Sequence, residues 1–85
     1  MSAPENLLPI LQAYMIDDLA ADPSDVQELD LRLIEEDVID SLGIFSLVEF
    51  IDERFRIEIE PEEITIENFG TLRGIEALVR RKLDE

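Results

Sequence analysis

Apolar residues recur along this chain at helical spacing, in blocks separated by breaks rich in Asp, Pro and Ser. Leu7, Leu8, Leu11, Met15 and Leu19 share one helical face, which predicts a first helix from about Leu7 to Leu19 behind a short tail over residues 1–5. Asn6 suits its N-cap. Pro9 would break a helix interior, but in the first turn its missing N–H costs little. Tyr14 lies beside the stripe. Asp22-Pro23-Ser24-Asp25 then stops the helix. From there to Ile39 no clean period exists, because acids fill most gaps between Leu29, Leu31, Leu33, Ile34, Val38 and Ile39. This reads as a long loop pinned to the core by its apolar side chains, with a short helical turn near Asp25 to Leu29.

Asp40 is placed to cap a second helix starting at Ser41. Ile44, Val48, Ile51 and Phe55 form its inward stripe and Leu47 widens it, while Leu42, Phe45, Ser46, Glu49, Asp52 and Glu53 point elsewhere. Phe45 and Phe50 cannot both be fully buried if Ile44 and Ile51 define the core, so one of them is a candidate exposed contact. Arg56-Ile57-Glu58-Ile59-Glu60 alternates like a strand but has nothing to pair with, which predicts an extended link with Ile57 or Ile59 tucked inward. Pro61 and Glu62-Glu63 suit a first helical turn, giving a short third helix from Pro61 to Ile64 or Ile66. Thr71 caps a last helix with Leu72, Ile75, Leu78, Val79 and Leu83 on one face; Gly74 weakens it slightly, and Arg80, Arg81 and Lys82 suit its C-terminal dipole. The expected fold is all-α, a small four-helix bundle with a long first loop and a short third helix, forming one domain over residues 1–85.

Composition narrows the chemistry. The 85 residues contain no Cys and no His, which removes disulfides, thiolate metal sites and the commonest general base and metal ligand. Catalysis by the bare polypeptide is disfavoured, since paired acids such as Glu35 with Glu36 or Glu62 with Glu63 point apart on a helix. Asp22 to Asp30 lacks the spacing and central Gly of a calcium loop, so no metal site is expected. Seven basic residues against 22 acidic ones give a formal charge of −15. Such a surface repels nucleic acid and anionic membranes, favours a monomer, and attracts basic protein patches. No apolar run suits a membrane span or signal peptide, so the expected location is the cytoplasm.

A Ser beside an Asp at a helix start is most often a simple cap. Yet a hydroxyl at a helix N-terminus also suits a phosphate ester, because free N–H groups and the dipole favour its charge. Here the wider sequence adds to that chemistry. Asp40-Ser41-Leu42, preceded by Leu33-Ile34-Glu35-Glu36-Asp37-Val38-Ile39 and followed by Leu47-Val48-Glu49-Phe50, resembles the acyl carrier protein family. The likeness continues through Glu53-Arg54-Phe55-Arg56-Ile57-Glu58-Ile59 and Glu67-Asn68-Phe69-Gly70-Thr71-Leu72.

The resemblance implies that Ser41 bears a 4′-phosphopantetheine arm, taken from coenzyme A by a phosphopantetheinyl transferase, and that Asp40 and Leu42 belong to the attachment site. The arm would supply the thiol that this Cys-free chain lacks and hold an acyl group as a thioester, with separate enzymes doing the catalysis. By the same resemblance, Leu42 and Phe45 offer apolar contacts to partners. Glu49, Asp52 and Glu53 offer charge to the basic patches of a loading ligase, synthase or acyltransferase.

Asp37 stands where many relatives have Gly, and Asp tolerates the left-handed backbone that Gly supplies. Gly43 and Ser46 replace acids common in fatty-acid carriers, and Ile59-Glu60-Pro61 shifts the usual Ile-Pro order. Asp-Ser-Leu-Gly is closer to D-alanyl carriers and to carriers served by adenylating ligases. These departures point to a specialised acyl or aminoacyl carrier. The competing reading is an acidic helical interaction module with no prosthetic group.

Overall fold

Four α-helices and two 3₁₀ turns account for the regular structure in the computed structural model, which describes residues 7–84. The candidate cap Asn6 and the tail over residues 1–5 lie outside the described residues. Helix α1 runs Leu7–Asp17, α2 Ser41–Phe55, α3 Ile66–Phe69 and α4 Leu72–Leu83. The 3₁₀ turns are Asp25–Gln27 and Pro61–Glu63. Among the described residues no helix is long and apolar enough to cross a membrane.

The core is the set of stripes read from the sequence. Leu7, Leu11 and Met15 of α1 are fully buried and join Ile44, Leu47, Val48, Ile51 and Phe55 of α2 and Leu72, Ile75, Leu78 and Val79 of α4. Buried side chains of this size are each worth about 1.5–3 kcal/mol over exposure, so these positions hold the helices in register. The stretch between α1 and α2 is indeed pinned by apolar anchors: Val26, Leu33 and Ile39 are buried.

The same stretch is also tied by its backbone. Leu33 N–H donates to the Gly70 carbonyl at 2.7 Å and Arg73 N–H to the Leu29 carbonyl at 3.0 Å, while Arg73 Nε meets Asp30 Oδ1 at 2.7 Å. Gln12 Nε2 reaches the Val26 carbonyl at 2.7 Å. The loop therefore connects the start of α2 to the α3–α4 corner.

Two boundaries differ from expectation. Helix α1 stops at Asp17 rather than Leu19, because Ala20 turns left-handed (φ 58°) and Ala21 N–H returns to the Met15 carbonyl at 2.9 Å. The third helix does not start at Pro61. That residue opens a separate 3₁₀ turn whose Glu63 Oε1 accepts the Glu60 N–H at 2.8 Å. Thr65 then caps α3, its Oγ1 accepting Asn68 N–H at 3.2 Å.

Gly74 gains a reason that propensity alone does not supply. A Cβ there would lie 2.9 Å from the Glu67 carbonyl oxygen and 3.0 Å from that of Asn68. The bare glycine lets α3 abut α4, and thus fixes where α3 stands beside α2.

Candidate functional site

Asp40 and Ser41 begin α2. Asp40 is extended (φ −106°, ψ −173°), and its Oδ1 accepts Gly43 N–H at 2.8 Å, while its own carbonyl accepts Ile44 N–H at 2.9 Å. The preceding turn delivers it there. Asp37 is left-handed (φ 58°), and the N–H groups of Val38 and Ile39 both return to the Leu33 carbonyl, at 2.8 and 3.2 Å. The aspartate expected to tolerate a glycine-like backbone does adopt one.

Ser41 is exposed, and its hydroxyl makes no hydrogen bond among the described residues. It is Asp40 that caps, so the serine is not occupied in holding the helix. The main-chain N–H groups of Ser41 and Leu42 also have no protein acceptor among the described residues. With the dipole of a 15-residue helix behind them, they make the Ser41 oxygen a favourable point for a negatively charged ester.

Two clefts flank this point. One, of about 360 Å³, is mixed in character, lined by Asp18, Asp37, Asp40 and Ser46 together with Leu19, Val38, Ile39, Leu42 and Gly43. The other, of about 210 Å³, has Ser41 on its rim and is otherwise lined by Ile34, Ile44, Phe45, Ile64, Thr65, Ile66 and Phe69. Leu42 is 76% exposed and Phe45 57%, so both residues expected to offer apolar contacts stand free on the surface beside Ser41. Ile34 and Ile66, at 37% and 67%, are exposed too. Neither was a candidate from the sequence; their only signal there was an apolar side chain among acids and off the core period.

The acids of α2 divide. Glu49 and Glu53 are exposed beside a shallow cleft that they share with Tyr14, Ser46 and Phe50. Asp52 is half-buried and its Oδ1 accepts Ile59 N–H at 3.1 Å, which holds the 57–60 link against α2 and brings Ile59 into the core. Of the two phenylalanines, Phe45 is the exposed one. Phe50 stacks on Tyr14 with centroids 4.1 Å apart, and the Tyr14 hydroxyl donates to the Ser46 carbonyl at 3.1 Å. Burial, aided by the nearby Asp18 charge, pushes the Tyr14 phenol above its ordinary value. Among the described residues no cluster of three or more carboxylates is arranged to hold a metal ion.

The D-alanyl carrier protein of Lactococcus lactis subsp. cremoris is 34% identical to this chain over 59 residues, covering 69% of the chain and 75% of that protein. The D-alanyl carrier protein of Abiotrophia defectiva is 29% identical over 69 residues, covering 81% and 87%. A probable acyl carrier protein, PigG, of a Serratia species is 39% identical over 49 residues, covering 58% of the chain and 56% of that protein. No family model and no solved structure matches the chain.

Proposed function

The chain belongs to the acyl-carrier-protein-like family of specialised carriers, and from that premise we propose that it transports an acyl or aminoacyl group as a thioester on a 4′-phosphopantetheine arm linked to Ser41. It is a carrier and not itself an enzyme. The observation that carries the attachment reading is the exposed, unbonded Ser41 hydroxyl beside two free main-chain N–H groups, with capping left to Asp40.

These residues fit the group. Ser41 Oγ would bond to the phosphorus of the arm, its proton passing to a base on the transferase while the adenosine bisphosphate half of coenzyme A leaves. The Ser41 and Leu42 N–H groups would then face the phosphodiester charge, and Asp40 would hold the helix end that presents them. When bound, the arm supplies a terminal thiol, which this Cys-free chain lacks.

Leu42 and Phe45 would meet apolar surface on a transferase, ligase or synthase, and Glu49 and Glu53 would meet basic patches. Asp52 would add to that field from a more recessed position. The aminoacyl option draws on the two relatives named D-alanyl carrier protein, and the acyl option on the one named as an acyl carrier.

Transfer of a fluorescent pantetheine conjugate from its coenzyme A derivative tests the site. Wild-type chain is expected to label and Ser41→Ala to remain unlabelled while keeping its helical circular dichroism. Labelled Ser41→Ala would move the attachment point elsewhere.

A further inference from the structure

Acids outnumber bases 22 to 7 in this chain, and five of the seven bases meet an oxygen of the fold. Arg32 reaches Glu35 at 3.1 Å, Arg73 Asp30 at 2.7 Å, Arg80 Glu76 at 3.4 Å and Lys82 Glu63 at 2.7 Å. Arg81 reaches the Asn68 amide oxygen at 3.4 Å. The other two, Arg54 and Arg56, are exposed, and their guanidinium groups have no oxygen partner among the described residues. They stand together, Arg54 in the last turn of α2 and Arg56 as the residue that ends it. The Arg54 guanidinium lies over the Phe55 ring, 5.7 Å from its centroid. That contact steadies a planar cation without using its N–H donors.

Stabilising the helix end does not account for both. A cation near a helix C-terminus is favoured by the dipole, and Arg54 already supplies one. Arg56 is left-handed (φ 56°, ψ 49°), at a position where glycine usually ends a helix. The strain on an L-residue there exceeds what the dipole returns to an exposed cation. We propose that Arg54 and Arg56 together receive a pair of carboxylates on a partner protein. Their unused N–H forks match carboxylate oxygens two at a time. Charge selects this occupant: a chain of −15 repels nucleic acid and anionic bilayers, but not an acidic spot within an otherwise basic protein surface. The pair lies about 20 Å along α2 from Ser41, so the inference stands whether or not that serine is modified. Exposed Glu49 and Glu53 precede it on the same helix, and the surface sign therefore reverses along α2. A partner shifted or turned along the helix would meet like charge, so the arginines set the register of docking.

The test follows the arginine Nε–H signals by NMR while the capped peptide Lys-Glu-Gly-Glu-Lys, which has no net charge, is added at fixed ionic strength. Saturating shifts are expected at Arg54 and Arg56 and not at Arg32, Arg73 or Arg80. The peptide Lys-Gln-Gly-Gln-Lys is expected to leave all of them in place. Arg56→Gly is expected to lose the saturating shift at Arg54 while melting at a higher temperature than wild type, its backbone strain relieved. Shifts that never saturate, that are equal at all arginines, or that persist with the glutamine peptide overturn the inference. A saturating shift kept at Arg54 in Arg56→Gly overturns the pairing. A lower melting temperature for Arg56→Gly overturns it as well, by assigning Arg56 to the helix end.

Discussion

At the scale of single residues, the division of labour at the start of α2 decides what the site can do. A helix beginning with its own capping serine would tie up the hydroxyl. Here the carboxylate of Asp40 takes the Gly43 N–H and leaves Ser41 exposed. Backbone strain is visible at the other end of the connection, where Ala20 is left-handed at φ 58° without the glycine such a position favours. That conformation costs an L-residue about 1–2 kcal/mol. Ala20→Gly is therefore expected to raise stability by about 0.5–1 kcal/mol, once the greater freedom of glycine in the unfolded chain is deducted. Urea unfolding measures it, and a variant less stable than wild type would show that Ala20 makes contacts worth more than the strain.

Elements show how much the sequence told and where it stopped. The inward faces of α1, α2 and α4 were legible because burial repeats at helical period, and the caps Asp40 and Thr71 because their side chains act within three residues of themselves. The end of α1 was not, since Leu19 keeps the apolar period while the backbone has already turned at Ala20. The α3 segment misled because Pro61 with Glu62-Glu63 is a good helix start, yet Thr65 offers a second cap four residues on and the chain uses both. Ile34 and Ile66 were invisible as a pair, because their shared cleft exists only once the loop is tied to the α3–α4 corner.

Gly74 is a case where propensity and packing oppose each other. Alanine would gain up to about 1 kcal/mol in helix propensity. Its Cβ would meet the Glu67 and Asn68 carbonyls at 2.9 and 3.0 Å, and displacing main chain costs about 1–3 kcal/mol. Gly74→Ala is thus expected to lower the melting temperature, and a rise would mean that α3 yields freely.

The link between the 61–63 turn and α4 predicts an acid limb. The Lys82 ammonium, 2.7 Å from Glu63 Oε1, together with the Glu60 N–H, holds the Glu63 carboxyl below its ordinary 4.5. A depressed carboxyl stabilises the fold above its unfolded value and loses that contribution as pH falls through the lower folded value. Unfolding curves between about pH 6 and pH 3 should therefore converge for wild type and Glu63→Gln, wild type being the more stable only at the upper end. An equal gap at every pH would assign the effect to shape instead of charge.

For the whole molecule, a charge of −15 acts at distances no single contact reaches. Exposed Glu49 and Glu53 lie on the same helix as Ser41, about two and three turns further on, so encounter with a basic partner is expected to slow as salt rises, the screening length falling from about 10 Å at 0.1 M to about 3 Å at 1 M. The transferase kcat/KM measured against salt should drop steeply for wild type and less for the Glu49→Gln, Glu53→Gln pair. Identical slopes would place docking elsewhere on the surface.

The function proposed for this acidic bundle is to present one modified serine. Intact mass after incubation with coenzyme A and a broad-specificity phosphopantetheinyl transferase, followed by peptide mapping, tests it most directly. A single phosphopantetheine-sized gain on the peptide containing Ser41 is the expected result. An unchanged mass, from folded protein and with the transferase active on a control carrier, would contradict it and leave an acidic docking module with Ser41 as an unmodified first residue of α2.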